Sequence, residues 1–305
     1  MHIVILDGGS TNPGDVSWAP LRALGSVTVY DSTKPEEIVE RAKDAEAVIL
    51  NRNVISREIM QKLPKLRFIG LLATGYNTVD VKAAGELGIT VCNVPLYCVE
   101  TVAQQAFALL LELCNHTEKI SAATRGGDWD KAETMSHSTH PLFELYGKTL
   151  GIVGFGHIGM KILVYSRTKR ELPERYQWAE LDALFKNADV VSLHCPLTDE
   201  TRGLVNAERL NLMKPTAFLI NTARGAVVDE AALAEALNSG RIAGAGLDVL
   251  VHEPPKKDDP LLTAQNCIVT PHIAWASRDA RARLIKTVAE NLKAFRNGTP
   301  QNVVS

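Results

Sequence analysis

Short apolar runs alternate with helical patterns along almost the whole chain. Each run is only long enough for a strand, and most are followed by a segment whose apolar positions recur every three or four residues. This alternation is typical of βαβ units, in which helices connect parallel strands. In the first third of the chain the pattern predicts strands at 3–6, 27–30, 47–50, 68–72 and 90–93.

A long segment rich in Ala and Leu, 99–119, predicts a helix between this unit and a second one. The polar stretch 124–141 follows, and the second unit starts at Lys148. Its predicted strands are 150–154, 162–165, 190–194, 217–221, 244–248 and 267–270. Ser277 is a suitable N-cap for a last helix that runs to about Arg296 and returns the chain to the first unit.

These elements predict an α/β fold with two doubly wound parallel-sheet domains. The expected organisation is a Rossmann cofactor domain at 99–275, inserted in a flavodoxin-like substrate domain. The substrate domain is discontinuous and comprises 1–98 plus 276–305. We expect this insertion because the last predicted helix returns the chain from the cofactor domain to the first unit.

Composition and charge exclude several classes of function. The 305 residues are 46% hydrophobic, which is ample for two cores, and the net charge of -2 gives no indication of nucleic-acid or membrane binding. No apolar run is long enough to span a membrane, and the apolar run at the start of the sequence is too short for a secretory signal. The five cysteines form no C-x-x-C pair, so we expect reduced thiols in a cytoplasmic protein. We assign no metal, because His116, His137 and His140 lack metal-ligand spacing.

A glycine pattern follows the first strand of the second unit. The sequence Gly-Phe-Gly-His-Ile-Gly has the G-x-G-x-x-G form of a dinucleotide site, in which glycines allow a tight turn and close approach to a pyrophosphate. The residues predicted to contact the cofactor here are Gly154, Gly156, His157, Ile158 and Gly159.

The segment after the next strand indicates which dinucleotide is bound. An acid at this position would accept a hydrogen bond from the ribose 2′-OH, but 166–170 contains three cations and no acid. Arg167 has the fork geometry that binds a 2′-phosphate. We therefore favour NADP over NAD, the alternative being an ordinary solvated basic turn.

Three polar motifs stand just past three later strands. They are the motifs that contain Arg224, Glu253 and His272. Ligands of open α/β sheets bind beyond the carboxyl ends of the strands, so these side chains predict an active site. A histidine suits proton transfer near neutral pH, a glutamate can orient it, and an arginine offers a fixed cationic fork for a carboxylate and a carbonyl oxygen.

The order and spacing of these motifs resemble the D-2-hydroxyacid dehydrogenase family over nearly the whole chain. The details most resemble its glycerate dehydrogenase and hydroxypyruvate or glyoxylate reductase branch. The resemblance implies hydride transfer between NAD(P)H and a small 2-keto or 2-hydroxy acid. It also implies a homodimer through the 99–119 region, with no nucleic-acid or membrane partner.

The resemblance further implies a role for individual residues. His272 is the general acid/base, Glu253 its orienting partner, and Arg224 the substrate carboxylate and carbonyl ligand. The loop with Thr74, Gly75 and Tyr76 is expected to hold the substrate carboxylate through backbone amides. Additional cofactor contacts are expected at Ser166, Arg167, Thr168, Cys195, Pro196, Thr201, Thr222, Ala223, Asp248 and His272.

Two other interpretations stay open beside this one. Some proteins of the same fold are dinucleotide-sensing binding proteins in gene regulation, and they can keep the glycine pattern and even all three residues. Long disordered tails or peptide-binding extensions would favour this interpretation, and we see neither in the sequence. Formate dehydrogenases are a second alternative, but they pair the histidine with glutamine, whereas Glu253 is an acid.

One departure from the family pattern concerns the residues after Gly159. About eleven residues, a whole helix, usually separate the last glycine from the next strand, yet here Met160 and Lys161 follow at once. A parallel crossover needs about ten to twelve residues or more. Either residues are absent between Gly159 and Met160, or the connection is truly short, which we favour. In the second case we expect the flanking strands not to be parallel neighbours, and dinucleotide binding to be weak or undetectable.

Overall fold

The computed structural model describes residues 1–132, 140–154, 161–165 and 176–305. The chain divides into two compact units, Met1–Thr101 with Trp275–Ser305 and Val102–Ala274. The boundaries predicted at 98 and 276 differ from these limits by three residues and one residue.

The first unit contains a five-stranded parallel sheet in the order β2-β1-β3-β4-β5. Its strands are β1 His2–Ile5, β2 Ser26–Val29, β3 Ala47–Leu50, β4 Phe68–Leu71 and β5 Thr90–Cys92. Its connecting helices are α1 Gly8–Thr11, α2 Ala19–Arg22, α3 Ile38–Ala42, α4 Arg57–Gln61 and α5 Val81–Glu86. This strand order is that of flavodoxin-like sheets, so the predicted fold of the unit is confirmed.

The second unit contains a seven-stranded parallel sheet in the order β12-β11-β10-β9-β6-β7-β8. The strands are β6 Thr149–Val153, β7 Lys161–Tyr165, β8 Tyr176–Trp178, β9 Val190–Leu193, β10 Phe218–Asn221, β11 Gly244–Leu247 and β12 Cys267–Val269. The helices are α6 Val99–Asn115, which starts at the unit boundary, α7 Thr117–Arg125, α8 Leu181–Asn187, α9 Ala207–Leu212 and α10 Glu230–Asn238. Starting from β8, the order is that of a Rossmann sheet with one extra strand, so the predicted Rossmann fold of this unit is confirmed.

Both sheets bury both faces. Along β1, Ile3 and Ile5 belong to one apolar cluster, and Val4 belongs to the cluster on the other face. The last helix, α11 Arg278–Arg296, covers the first of these faces, and the hydroxyl of Ser277 accepts from the Ala280 amide at its start. Burial on both faces explains why the strands read as continuous apolar runs rather than as alternating ones.

The strands flanking the short connection are parallel neighbours, so the expectation that they would not pair was wrong. Thr149 to Val153 of β6 pair in register with Lys161 to Tyr165 of β7. Only the seven residues 154–160 connect them. To start a parallel neighbour, the connection must run back along the five-residue strand, a distance of about 13 Å. The eight Cα–Cα steps from Val153 to Lys161 can span up to about 30 Å, which is enough. Parallel pairing therefore does not by itself require a helix-length crossover.

The third strand of this half of the sheet, β8, was not predicted. It is only three residues long, and it pairs with β7 through Tyr176 and Trp178. None of the helices in the described ranges is long and apolar enough to cross a membrane.

Candidate active site

The three motif residues follow neighbouring strands of the second sheet. Arg224 follows β10, Glu253 follows β11 and His272 follows β12, and these strands are adjacent in the order β12-β11-β10. All three strands are parallel, so their carboxyl ends lie at one edge. The sequence prediction of a polar cluster beyond these strand ends therefore agrees with the topology.

His272 and Glu253 form a close pair. The ring Nδ1 of His272 lies 2.6 Å from Oε2 of Glu253, and about a third of each side chain is exposed. The predicted hydrogen-bond distance is confirmed. A carboxylate at Nδ1 fixes the ring orientation and the tautomer. Nε2 is then the ring nitrogen that Glu253 does not contact in this pair.

Asp248 holds the loop that carries His272. Its buried carboxylate accepts from the Thr270 hydroxyl at 2.5 Å and from the amides of Ile273 and Ala274 at 3.0 and 2.8 Å. His272 itself has a positive φ of 54°, and its amide donates to the Asp248 carbonyl at 2.8 Å. This left-handed conformation is uncommon for a residue with a side chain and persists only where the surroundings enforce it. The expected contact of Asp248 with a nicotinamide stays a prediction.

Arg224 is exposed and sits in a loop shaped by a buried asparagine. The Asn221 side chain accepts from the Ala223 amide and donates to the Arg224 carbonyl, both at 3.0 Å. The guanidinium donates to the Ala223 carbonyl at 2.7 Å, and within the described ranges it has no carboxylate partner. A cation in this setting is available to an anionic ligand.

Gly225 brings the Arg224 loop against the loop that carries Glu253. A methyl group added at Gly225 would overlap the Leu250 carbonyl carbon and the Val251 amide nitrogen. Only glycine allows the two backbones to approach this closely. The requirement explains the glycine that follows the arginine in the motif.

Two observations fit a dinucleotide at this edge of the sheet. The Thr222 hydroxyl is buried and has no hydrogen-bond partner among the residues that the structure describes. Gly154 has a φ of 94°, and an added Cβ would lie 2.6 Å from the Cys195 amide nitrogen. Buried polar groups are rarely left unpaired, so the hydroxyl suits a ligand that supplies the partner.

The other predicted cofactor residues fall into two groups. Cys195 is buried, which raises the pKa of its thiol, and the Thr201 hydroxyl donates to the Pro196 carbonyl at 2.7 Å in the turn that follows β9. Ala223 lies in the Arg224 loop. The remaining predicted contacts lie outside the described residues: Gly156, His157, Ile158, Gly159, Ser166, Arg167 and Thr168.

The predicted substrate loop belongs to the first unit and follows β4. The Thr74 hydroxyl donates to the Val94 carbonyl at 2.8 Å, which anchors the loop, and Tyr76 is 46% exposed. In the part of the chain that the structure describes, no hydrogen bond uses the amide N–H of Gly75 or Tyr76. These two donors are therefore available to a carboxylate.

Sequence reasoning gave no role to His194, which follows β9. Its Nε2 lies 2.8 Å from the Ser192 hydroxyl, and burial lowers the pKa of the imidazole to about 4. The ring is therefore neutral at physiological pH, and its hydrogen-bond partner is the hydroxyl of Ser192 on the preceding strand. The position of His194 at the end of a predicted strand was the sequence signal that could have singled it out.

A cavity of the second unit lies at the opposite edge of the sheet. It measures about 680 Å³ and is lined by Phe218, Ala243 and Cys267, at or next to the amino ends of β10, β11 and β12. None of Arg224, Glu253 and His272 lines it. We therefore do not assign it to the polar cluster.

Comparison with known proteins identifies the family. The profile described as D-isomer specific 2-hydroxyacid dehydrogenase, NAD binding domain, matches residues 107–274, which is more than half of the chain. The hydroxypyruvate reductase of Blautia hydrogenotrophica is 44% identical over 321 residues that cover 100% of both chains. Since this chain has 305 residues, at least sixteen positions of that alignment have no residue of it.

Two further similarities cover most or all of the chain. The glycerate dehydrogenase of Methylorubrum extorquens is 40% identical over 289 residues, or 90% of both chains. The crystal structure of the TT0316 protein from Thermus thermophilus has a TM-score of 0.88, with 36% identity and full coverage of both chains. The chain therefore belongs to the D-isomer-specific 2-hydroxyacid dehydrogenases, oxidoreductases that use a nicotinamide dinucleotide and act on CH–OH groups.

Proposed function

We propose that this chain interconverts small 2-keto acids and their 2-hydroxy acids, with glyoxylate, hydroxypyruvate and D-glycerate as substrates. The observation that carries the proposal is the 2.6 Å pair of His272 and Glu253 beyond β12 and β11. The names of the hydroxypyruvate reductase and glycerate dehydrogenase relatives support this substrate class.

His272 is the proposed general acid/base. In the direction of reduction, the carbonyl oxygen gains negative charge and needs a proton, which the imidazolium donates. Glu253 favours this charged form of the ring and holds it in place through Nδ1. In the direction of oxidation, the neutral ring accepts the proton of the substrate hydroxyl.

Arg224 and the 74–76 loop are the proposed anchors of the substrate. The guanidinium fork suits both the carboxylate and the developing charge on the carbonyl oxygen. The amides of Gly75 and Tyr76 suit the carboxylate, because no other described group uses them. Such fixed donors orient the substrate before reaction.

The residues that would hold the cofactor are Gly154, Thr222 and the glycine and basic segments at 155–159 and 166–170. When bound, a nicotinamide dinucleotide supplies the hydride. We further propose that NADPH is preferred, because Arg167 and its cationic neighbours suit a 2′-phosphate and no acid repels it.

Initial rates with glyoxylate, hydroxypyruvate and pyruvate, each with NADH and NADPH, test the proposal. At high cofactor concentration we expect turnover of the first two acids and faster turnover with NADPH. A folded protein that binds a dinucleotide but turns over none of these acids would instead support a dinucleotide-sensing protein.

A further inference from the structure

The loop that carries Glu253 has no regular structure of its own. Residues 251–254 lie between β11 and the following turn, and Val251 is 42% exposed. Apolar burial of this side chain therefore does little to fix the loop. Leu250, the residue before it, is buried in the apolar core of the unit. Beyond Leu250, hydrogen bonds and backbone contacts contribute to the orientation of Glu253 toward His272.

Two carboxylates take the two consecutive amides at the start of this loop. The Leu250 amide donates to Oε1 of Glu253 at 3.1 Å, and the Val251 amide donates to Oε1 of Glu230 at 2.7 Å. Gly225 packs against the same Leu250–Val251 peptide. The Leu250–Val251 peptide is therefore held by Glu230 of α10 as well as by Glu253, the residue whose position depends on it.

Glu230 is not needed to cap its own helix. It is the first residue of α10, where an acid generally stabilises the helix dipole. The cap, however, is Asp229, whose Oδ1 accepts from the Ala232 amide at 3.1 Å. The Glu230 side chain instead turns to a loop 21 residues further along the chain.

The surroundings of Glu230 disfavour a charged carboxylate, because the group is partly buried and lies near other acids. Burial raises the pKa of this carboxyl, and Asp259 and Asp229 raise it further, while the Val251 amide and His252 oppose the shift. A glutamate at an exposed helix start would meet none of this cost. The hydrogen bond from the Val251 amide is the contact that compensates for burial here.

We propose that Glu230 is a positioning residue of the active site, which holds the Leu250–Val251 peptide so that Glu253 meets His272. The proposal rests on the proposed function. Glu230 acts through Glu253 and touches no substrate. This role requires a side chain as long as glutamate whose oxygen accepts the hydrogen bond from the Val251 amide. It does not require the negative charge.

Two substitutions separate reach from charge. Glu230→Gln keeps the acceptor and the length but loses the charge, whereas Glu230→Asp keeps the charge but is one methylene too short. We expect Glu230→Gln to retain kcat within about twofold. Glu230→Asp should lower kcat about ten- to hundredfold, the scale of a small misplacement at a reacting centre, with little change in KM. Glu235→Asp, at an exposed position of the same helix, is the matched control and should behave like the parent.

A spectroscopic measurement keeps the test independent of turnover. The ¹⁵N shift of His272 Nδ1 reports its hydrogen bond to Glu253, and Glu253→Gln supplies the reference for its loss. We expect the resonance to move in Glu230→Asp and to stay near its parent position in Glu230→Gln.

The outcomes are distinct. If the parent lacks turnover while the resonances behave as expected, the proposed function fails and the positioning role stands. If Glu230→Asp leaves both kcat and the resonance unchanged, or only lowers thermal stability, Glu230 is a structural residue and the positioning role is wrong.

Discussion

At the scale of single residues, His272 is held more firmly than a surface histidine needs to be. Its ring pairs with Glu253, its amide donates to the Asp248 carbonyl, and its φ is positive. Asp248 secures the residues on either side of it. Strain that is maintained by several hydrogen bonds is characteristic of functional positions.

Replacement of His272 by Ala should lower kcat about 10²–10⁴-fold, the usual contribution of a positioned general acid. Steady-state kinetics with glyoxylate or hydroxypyruvate measure this, and circular dichroism checks the fold. His252→Ala is the matched control, because this exposed histidine precedes Glu253 yet forms no part of the pair. Equal losses in both variants would contradict a specific role for His272.

Glu253→Gln should move the pH–rate profile for reduction to lower pH. The carboxylate favours the protonated ring that donates the proton, and an amide of the same size does not. An unchanged profile of kcat/KM against pH would remove Glu253 from the mechanism.

Arg167→Asp should reduce the preference for NADPH over NADH. An acid near the ribose repels a 2′-phosphate and accepts from a 2′-OH. The ratio of kcat/KM values for the two cofactors measures the effect. If the parent already uses NADH at least as well, the basic segment is only a solvated turn.

At the scale of elements, α6 and α7 carry surface that no other described residue of the chain covers. α6 buries Leu109, Leu110 and Leu113 but leaves Leu111 45% exposed. None of the nine residues of α7 is buried among the residues that the structure describes. A helix of this length is marginal without tertiary packing, which favours cover by a second copy of the chain.

We predict a homodimer through this region, with twice the 33.2 kDa mass of the chain in light scattering at micromolar concentration. Leu111→Glu should shift the mass towards that of the monomer, because it places a charge in the proposed interface. Leu212→Glu, at another partly exposed helical leucine, is the control and should leave the mass unchanged. A monomeric parent would refute the prediction.

At the scale of the whole molecule, we expect the connection between β6 and β7 to decide how well the cofactor is held. Both strands pair as in a Rossmann sheet, yet only seven residues connect them, fewer than a parallel crossover usually takes. At least sixteen positions of the Blautia alignment have no residue of this chain, so this chain lacks segments that the relative has. In the usual arrangement, a helix start after the glycines faces the pyrophosphate.

We therefore expect weak or undetectable binding of NADPH and NADH in calorimetric titration, and turnover only at high cofactor concentration. Mass spectrometry should first verify the length of the chain. Insertion of the corresponding residues of the Blautia relative after Gly159 should tighten binding. Micromolar affinity of the short chain would show that a helix-length connection is dispensable.

The sequence by itself determined the two α/β units, most strand positions and the three motif residues. Ala47–Leu50 forms a strand where the apolar run predicted one, and Ser277 caps the final helix as expected. Arg224, Glu253 and His272 were recognisable because each follows a strand, and the carboxyl ends of parallel strands share one edge. Such local patterns suffice wherever the period of apolar positions and the chemistry of a turn agree.

The tertiary structure alone decided the contacts that join these segments. No local pattern relates Glu230 to the Val251 amide, Gly225 to the Leu250 carbonyl, or the Asp248 carboxylate to the loop of His272. The parallel pairing of β6 with β7 was also predicted wrongly, because the usual crossover length was applied where the reach of the chain was sufficient. These features depend on which distant segments meet, and the periodicity of one segment carries no information about its neighbour in space.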